Sequence, residues 1–263
     1  MGQDLVSRYC SETSAQWDKR ASIFDRSVVR GEMENQVLLK DWKKLLQEAL
    51  ETDQYKPGRL LDVGTGSGFL AIALAELGYD VSGVDISPAM LEIATQRAVQ
   101  RGLQLALHVG DAMDLSEYDS DSFNVVITRY LTWALPDLQR AYKEWWRVLS
   151  PGGRLVVIDG LWNQNRTHKS RNWWRFFAWA LILVTEGRRP ERKKKDEIVS
   201  FDLPVAKLKR PQDDLIIMEN LGYQIEKVYP NIYPLVYKGI RGKVEYLKRC
   251  YWGPAFMIIA DKV

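Results

Sequence analysis

The sequence predicts a doubly wound α/β fold: a mostly parallel, seven-stranded sheet with an N-terminal helical cap and a lid insertion. Three observations predict it. Apolar runs of strand length alternate with helical apolar patterns from residue 59 to residue 160. A loop with glycine at alternate positions, Gly64, Gly66 and Gly68, joins the first of these strands to the first core helix. Polar residues Asp62, Asp85, Asp111 and Arg129 fall at or just after successive strand ends. A parallel sheet brings those ends to one rim, where ligands of open α/β sheets sit.

Each element has its own signal. Residues 1–35 are polar with scattered aromatics, Tyr9, Trp17 and Phe24. Leu38, Trp42, Leu45 and Ala49 recur at helical spacing and predict an amphipathic helix over 37–50. Pro57-Gly58 breaks the chain. Strand one spans 59–63, and its helix carries Leu70, Ala71, Leu74 and Leu77 on one face before Gly78. Strand two spans 80–84. Ser87-Pro88 then starts a helix with a capping hydroxyl and a proline in the first turn. Strands three and four are expected at 103–109 and 123–128. The helix after Pro136 lines up Leu138, Ala141, Tyr142, Trp145 and Leu149. Pro151-Gly152-Gly153 is expected to turn into strand five at 154–159. Asn172 to Val184 is almost wholly apolar and reads as a buried or lid helix. Pro211 to Leu221 reads as a helix closed by Gly222, and strands at 223–229 and 255–261 complete the sheet.

Composition narrows the class. A chain of 263 residues with 46% hydrophobic and 27% charged residues can bury a full core. The two cysteines, Cys10 and Cys250, form neither a disulfide framework nor a metal-ligand spacing. Neither histidine, His108 or His168, has metal-ligand company, so no metal is expected. Met1 to Asp18 lacks the apolar core of a signal peptide, and no apolar stretch reaches the ~20 residues that span a bilayer. A cytoplasmic protein with reduced thiols is the expectation. The net charge of +3 hides an asymmetry. Residues 161–210 hold 13 Lys and Arg against 5 Asp and Glu, and the rest of the chain is net acidic.

The glycine loop reads G-x-G-x-G, not the G-x-G-x-x-G of dinucleotide loops and not the G-x-x-x-x-G-K-S/T of triphosphate loops. Asp62 just before it suits a cationic group better than a phosphate. Asp85 can accept from two ribose hydroxyls in a bidentate, charge-assisted contact.

Leu60 to Phe69, Val84 to Ser87, Gly110-Asp111-Ala112 and Leu149 to Gly153 together resemble the class I S-adenosylmethionine-dependent methyltransferases, in their order and spacing. The resemblance covers residues 59–160. It implies the Rossmann-like methyltransferase fold, an antiparallel last strand, and S-adenosyl-L-methionine as cofactor. It places the loop (Asp62, Gly64, Thr65, Gly66, Gly68) against the methionine part, Asp85 with Ile86 and Met90 around the ribose, and Asp111 with Ala112 and Met113 at the adenine. Thr128 to Trp133 would lie beside the reacting methyl, with Arg129 near the methionine carboxylate and Tyr130 or Thr132 acting on the acceptor. The segment Trp17-Asp18 to Phe24-Asp25 is similar to one that folds over the cofactor in small-molecule members of the family.

Each assignment has a plainer alternative. Asp62 can be held by backbone amides in a structural role that shapes the methionine site, Asp111 can cap a loop, Met113 can be core, and Arg129 can be a surface arginine. His108 reads as structural; His168 reads as a base or as a solvated surface residue. Trp173, Trp174 and Phe177, with Phe176 and Trp179, form a pocket wall or lid; a membrane face or a homodimer contact are the other readings. Arg188 to Lys195 reads as a solvated charged loop, or as a patch that steers an anion or RNA.

The expected division is 1–56 as helical cap, 57–160 as cofactor-binding core, 161–210 as aromatic and basic lid, and 211–263 as the end of the core. The expected activity is in-line methyl transfer to a small acceptor, aromatic or anionic, with Tyr130 and His168 as catalytic candidates. Trp17, Trp133, Trp173, Trp174 and Phe177 are the substrate-binding candidates, and no stable nucleic-acid complex is expected. An RNA or protein methyltransferase, distinguished by steep salt dependence of binding, and a non-catalytic cofactor-binding regulator are the alternatives.

Overall fold

The computed structural model describes residues 3–51, 58–161, 169–186, 203–238, 244, 246–249 and 253–263. The elements run in chain order. Helix α1 (Gln3–Phe24) passes through a π turn (Asp25–Val29) into α2 (Arg30–Glu34) and α3 (Gln36–Leu50). Then come β1 (Arg59–Val63), α4 (Phe69–Ala75), β2 (Asp80–Asp85), α5 (Pro88–Gln100), β3 (Ala106–Val109) and β4 (Phe123–Arg129). Helix α6 (Leu138–Val148), β5 (Leu149–Gly160), α7 (Lys169–Glu186), α8 (Gln212–Asn220), β6 (Tyr223–Tyr229), α9 (Tyr233–Val236) and β7 (Ala255–Lys262) follow.

The seven strands form one sheet in the order β3-β2-β1-β4-β5-β7-β6. All pairings from β3 to β5 are parallel, while β7 runs antiparallel to both β5 and β6. Alternate residues face opposite layers, which is why the central strands read as continuous apolar runs. Leu60, Ile127, Val156 and Ile158 join the core under α3 and α4. Leu61, Val63, Val126, Leu155 and Val157 join the core under α6.

Local signals fix the helix starts. Asn35 caps α3 by accepting from the N–H of Val37 and Leu38. Ser87 caps α5 by accepting from Met90 N–H, with Pro88 in the first turn. The far end of α3 is held by Arg154. Its Nη1 donates to the carbonyls of Ala49 and Glu51, while Nε and Nη2 grip Asp261 at 2.7 and 2.8 Å.

Two strand boundaries and one helix differ from the sequence expectation. Strand β3 starts at Ala106, not at 103, because Leu103 and Leu105 pack beside the core before pairing begins. Strand β5 starts at Leu149, with Pro151-Gly152-Gly153 inside it. The register against β4 shifts there, from Phe123 opposite Leu149 to Val125 opposite Arg154, and Gly152 has φ +71°. The glycine turn is thus absorbed as a bulge-like break within the strand. Helix α7 is longer than expected, and its described side chains are of both kinds. Ala178 and Ile182 are buried, but Phe176, Phe177 and Val184 are exposed.

Gly68 has φ +85°, and an added Cβ would lie 3.0 Å from the Ala94 Cβ of α5. Gly68→Ala is therefore expected to destabilise the protein by about 1–3 kcal/mol. A urea denaturation midpoint lowered without change in slope checks this.

Candidate functional site

The strand order reverses at β1. Strand β2 lies on one side of β1 and β4 on the other, and the chain leaves their carboxyl ends in opposite directions. A cleft opens there with an empty volume, mouth included, of about 1020 Å³.

The glycine loop forms its floor. Gly64 and Thr65 donate their N–H groups to the carbonyl of Val84, folding the loop back over β2. Gly66 has φ +55°, and a Cβ there would meet no atom within 4 Å. That empty space is part of the cleft, so the backbone itself faces whatever binds.

Three acids line the cleft, Asp62, Asp85 and Asp111. Asp62 is buried; its Oδ2 accepts from Thr65 Oγ1 at 2.7 Å and from Ala71 N–H at 3.1 Å. Its Oδ1 has no hydrogen-bond partner. Burial pushes this carboxyl up to about 7, against the pull of those two hydrogen bonds. Asp85 accepts from Gly66 N–H at 2.8 Å and from Ser87 N–H at 2.9 Å, one on each oxygen. Burial raises it to about 6 despite both bonds. Each Asp85 oxygen keeps a lone pair for a ligand hydroxyl. Asp111 accepts from Met113 N–H at 2.9 Å and from the Cys10 thiol at 3.3 Å. Burial and the Asp111 charge hold that thiol up at about 12, so it stays a donor. The Asp111–Met113 turn is fixed from behind, by the Trp145 indole on Ala112 O and by Arg140 on Met113 O.

Helix α1 roofs the cleft. Tyr9, Thr13, Trp17 and Phe24 line it, and Trp17 meets Phe24 edge-on at 5.3 Å. Its polar side chains reach the loops after three strands. Ser14 Oγ donates to Ile86 O at 2.8 Å, and Asp18 accepts from Ser87 Oγ at 2.6 Å and Ala89 N–H at 3.2 Å, beyond β2. Cys10 reaches Asp111 beyond β3, and Tyr9 OH donates to Ala134 O beyond β4. The sequence reading missed Ser14 and Asp18 in this role. The signal was present as a polar stripe, Cys10, Ser14 and Asp18, at spacing of four on one helix face.

The β4 end supplies Arg129 and Tyr130, both of which line the cleft. Arg129 is buried, not a surface arginine; it pairs with Glu32 and lies 4.1 Å from the Phe69 ring, 4.4 Å from Trp42 and 4.6 Å from Tyr130. Tyr130 has φ +59°, a strained backbone position for a tyrosine. Ile86, Met90, Ala112 and Met113 complete the β2 and β3 sides.

Other candidates lie elsewhere. Thr132 is fully buried, with its hydroxyl held by Asp159 and by Arg210 at 2.6 Å. That network, extended by Arg210 to Asp214 and Tyr142, is a structural brace and takes Thr132 out of the reaction space. Trp133 does not line the cleft; its indole is tied to Tyr130 O at 2.7 Å and its N–H to Asp159 at 2.8 Å. Phe177 is exposed on α7 and stands apart from the cleft lining. Trp173 and Trp174 belong to α7, with side chains outside those described. His168 and the basic loop 188–195 lie outside the described residues. His108 sits in β3, edge-on to Tyr118. Among the described residues, no helix is long and apolar enough to cross a membrane.

Comparison with known proteins agrees with this geometry. Residues 61–157 match the family model described as a methyltransferase domain. The chain is 38% identical over 113 residues to a demethylmenaquinone methyltransferase of Deinococcus radiodurans, covering 42% of this chain and 46% of that protein. It is 40% identical over 105 residues to a demethylmenaquinone methyltransferase of Thermus thermophilus, covering 39% and 47%. The chain thus spans about half the length of the curated relatives it matches. A solved structure of geranyl diphosphate C-methyltransferase from Streptomyces coelicolor superposes with a TM-score of 0.54 at 20% identity, over 85% of this chain and 79% of that one. Its likeness concerns the fold. Residues 61–157 are thus the part of the chain that matches a methyltransferase domain and carries the similarity to the demethylmenaquinone methyltransferases.

Asp62 generates a pH prediction. Its folded value, about 7, lies above the ordinary carboxylate value of about 4. The ligand-free protein therefore loses stability as pH rises through that window. Asp62→Asn removes the loss and should melt at higher temperature than the unaltered protein at pH 8. A cationic ligand group at Oδ1 needs the ionised acid. Affinity for S-adenosylhomocysteine should then fall by up to ~10-fold per unit below pH 7, and the fall should vanish in Asp62→Asn. Melting curves and calorimetry at pH 6, 7 and 8 check both.

Proposed function

We propose that this protein transfers the methyl group of S-adenosylmethionine to a small apolar acceptor by direct in-line displacement. One observation carries the reading. On the β1–β4 side, the cleft offers an unpartnered carboxylate oxygen, Asp62 Oδ1, together with the cleft-lining Arg129. An α-amino acid complements that pair, with its ammonium toward Asp62 and its carboxylate toward Arg129. A pyrophosphate would instead face Asp62, Asp85 and Asp111, and like charge opposes it.

When bound, the cofactor supplies a sulfonium methyl group that a nucleophile of the acceptor displaces. The residues of the chain bind and orient. Asp85 takes the ribose hydroxyls through the lone pairs left over from Gly66 and Ser87. Asp111 takes the adenine amino group, with Met113 beside it. The bare backbone at Gly66 admits close approach. Helix α1 closes the cleft with Tyr9, Thr13 and Trp17 and keeps water out. Holding two reactants in line supplies about 7–11 kcal/mol of a barrier. Tyr130, strained at the end of β4, is the residue we assign to the acceptor proton, with His168 as the other candidate from the sequence.

The apolar side chains of Phe24, Val29, Phe69, Leu131 and Leu135 line the same cleft and support an apolar acceptor. Two relatives are named for demethylmenaquinone. An acceptor of comparable chemistry is the first to assay. We assign residues 1–56 as the helical cap and 161–210 as the aromatic and basic lid.

Calorimetry with S-adenosylmethionine, S-adenosylhomocysteine and a nicotinamide dinucleotide tests the cofactor. We expect micromolar binding of the first two, weakened at least ~30-fold by Asp85→Ala, the loss of about 2 kcal/mol from two charge-assisted hydrogen bonds. Binding of the dinucleotide in their place would sink the reading. For the proton transfer, Tyr130→Phe should lower kcat by ~100-fold and leave S-adenosylhomocysteine affinity unchanged. An unaltered kcat would remove Tyr130 from the chemistry.

A further inference from the structure

Glu32, on the short helix α2, is almost fully buried, 3% exposed. Its Oε2 pairs with Arg129. Its Oε1 accepts from Tyr237 OH at 2.6 Å and from Arg249 Nη2 at 2.7 Å. One carboxylate thus serves two guanidinium groups that are themselves largely buried, with side chains 6% and 15% exposed. Burial alone would raise the Glu32 carboxyl, but Arg129 and Arg249 outweigh it and hold it below the usual range, so it is ionised. The tyrosines around the cluster stay neutral, because burial pushes Tyr233 and Tyr237 well up. Among the described residues, the cluster carries one positive charge too many. Asp62 lies within electrostatic reach of Arg129. A ligand ammonium at Asp62 uses that negative charge and leaves the surplus standing. Arg129 Nε has no hydrogen-bond partner, and Arg129 is the member of the cluster that lines the cleft.

A buried charge without a partner is unstable relative to one that is paired. We propose that Glu32 is a positioning residue: it ties Arg129 to Arg249 and holds the Arg129 guanidinium in the cleft, where the surplus charge takes the carboxylate of the cofactor's amino-acid group. The proposal rests on the cofactor reading above and adds the residue that sets it. The geometry explains why a glutamate more than two hundred residues from Arg249 in sequence is buried beside it. It also gives the cation–π stack on Phe69 and Trp42 a purpose, since the stack fixes the guanidinium plane that Glu32 grips at one edge.

Calorimetry on the full chain with two probes tests this. S-adenosylhomocysteine carries the amino-acid group. 5′-Methylthioadenosine keeps the adenine, ribose and thioether and lacks it. Glu32→Gln should weaken S-adenosylhomocysteine at least ~10-fold, the usual effect of one charge-assisted hydrogen bond, and change 5′-methylthioadenosine by less than ~2-fold. Arg249→Gln, which removes the surplus charge, should act in the same direction and with the same selectivity. Equal losses for both probes in Glu32→Gln would overturn the proposal, because they would mean general damage to the cleft or an anion that belongs to the acceptor. A gain in S-adenosylhomocysteine affinity would also overturn it, since charge alone would then outweigh position. Tyr237→Phe removes one hydrogen bond to Glu32 and no charge. It decides the matter if Glu32→Gln does not fold: selective weakening of S-adenosylhomocysteine supports the proposal, and no selectivity overturns it. If the unaltered protein binds neither probe, the cofactor reading itself falls.

Discussion

Everything at the site depends on parallel pairing of β1 with two neighbours that the chain reaches in opposite directions. That arrangement leaves a crevice no side chain has to fill. It also fixes which residues face it. Asp62 and Arg129 come from adjacent strands, and Asp85 and Asp111 follow the next two outward. The burial of Asp62 and Asp85 is imposed by the sheet, and burial is what raises both carboxyls. Had the strand order not reversed at β1, a crossover helix would cover these ends, and the same acids would be an unpaid desolvation cost.

The roof has a different character from the floor. The sheet is held by apolar layers on both faces. The middle of α1 joins the fold through the buried Tyr9 and Thr13 and through hydrogen bonds to loops after β2, β3 and β4. Each such bond is worth only about 0.5–1.5 kcal/mol net. The difference suits a cleft that must admit and release a ligand while excluding water between those events.

The core was legible in the sequence because its signals are local. Apolar runs buried on both faces, the capping Ser87-Pro88 and alternate glycines need no knowledge of the rest of the chain. Asp62, Asp85 and Asp111 were legible for the same reason, as each lies within two residues of a strand end. The lesson fails where partners are distant. Nothing near Glu32 in sequence announces Arg129 or Arg249, and nothing near Thr132 announces Asp159 and Arg210. The alternatives weighed for Asp111, a ligand acid or a loop cap, are not exclusive: one oxygen caps the turn at Met113 while the other faces Cys10. The apolar run of α7 was legible as a helix, while its exposed Phe176, Phe177 and Val184 show that hydrophobicity alone does not fix burial. Pro151-Gly152-Gly153 misled because a break that would end an isolated strand is tolerated where β4 pairs with Leu149 before it and with Arg154 after it.

The position of β7 has a consequence for how the chain is made. Among the described residues, β6 has no sheet neighbour except β7, and β7 lies between β6 and β5. Ribosomal synthesis delivers β6 first. Until β7 emerges, β5 presents an open edge, and β6 has nowhere to pair. The nascent chain must therefore carry an unfinished sheet for the time needed to add roughly thirty residues, a few seconds at ordinary elongation rates. Residues that shield the β5 edge during that interval govern the yield of folded protein without altering the finished molecule.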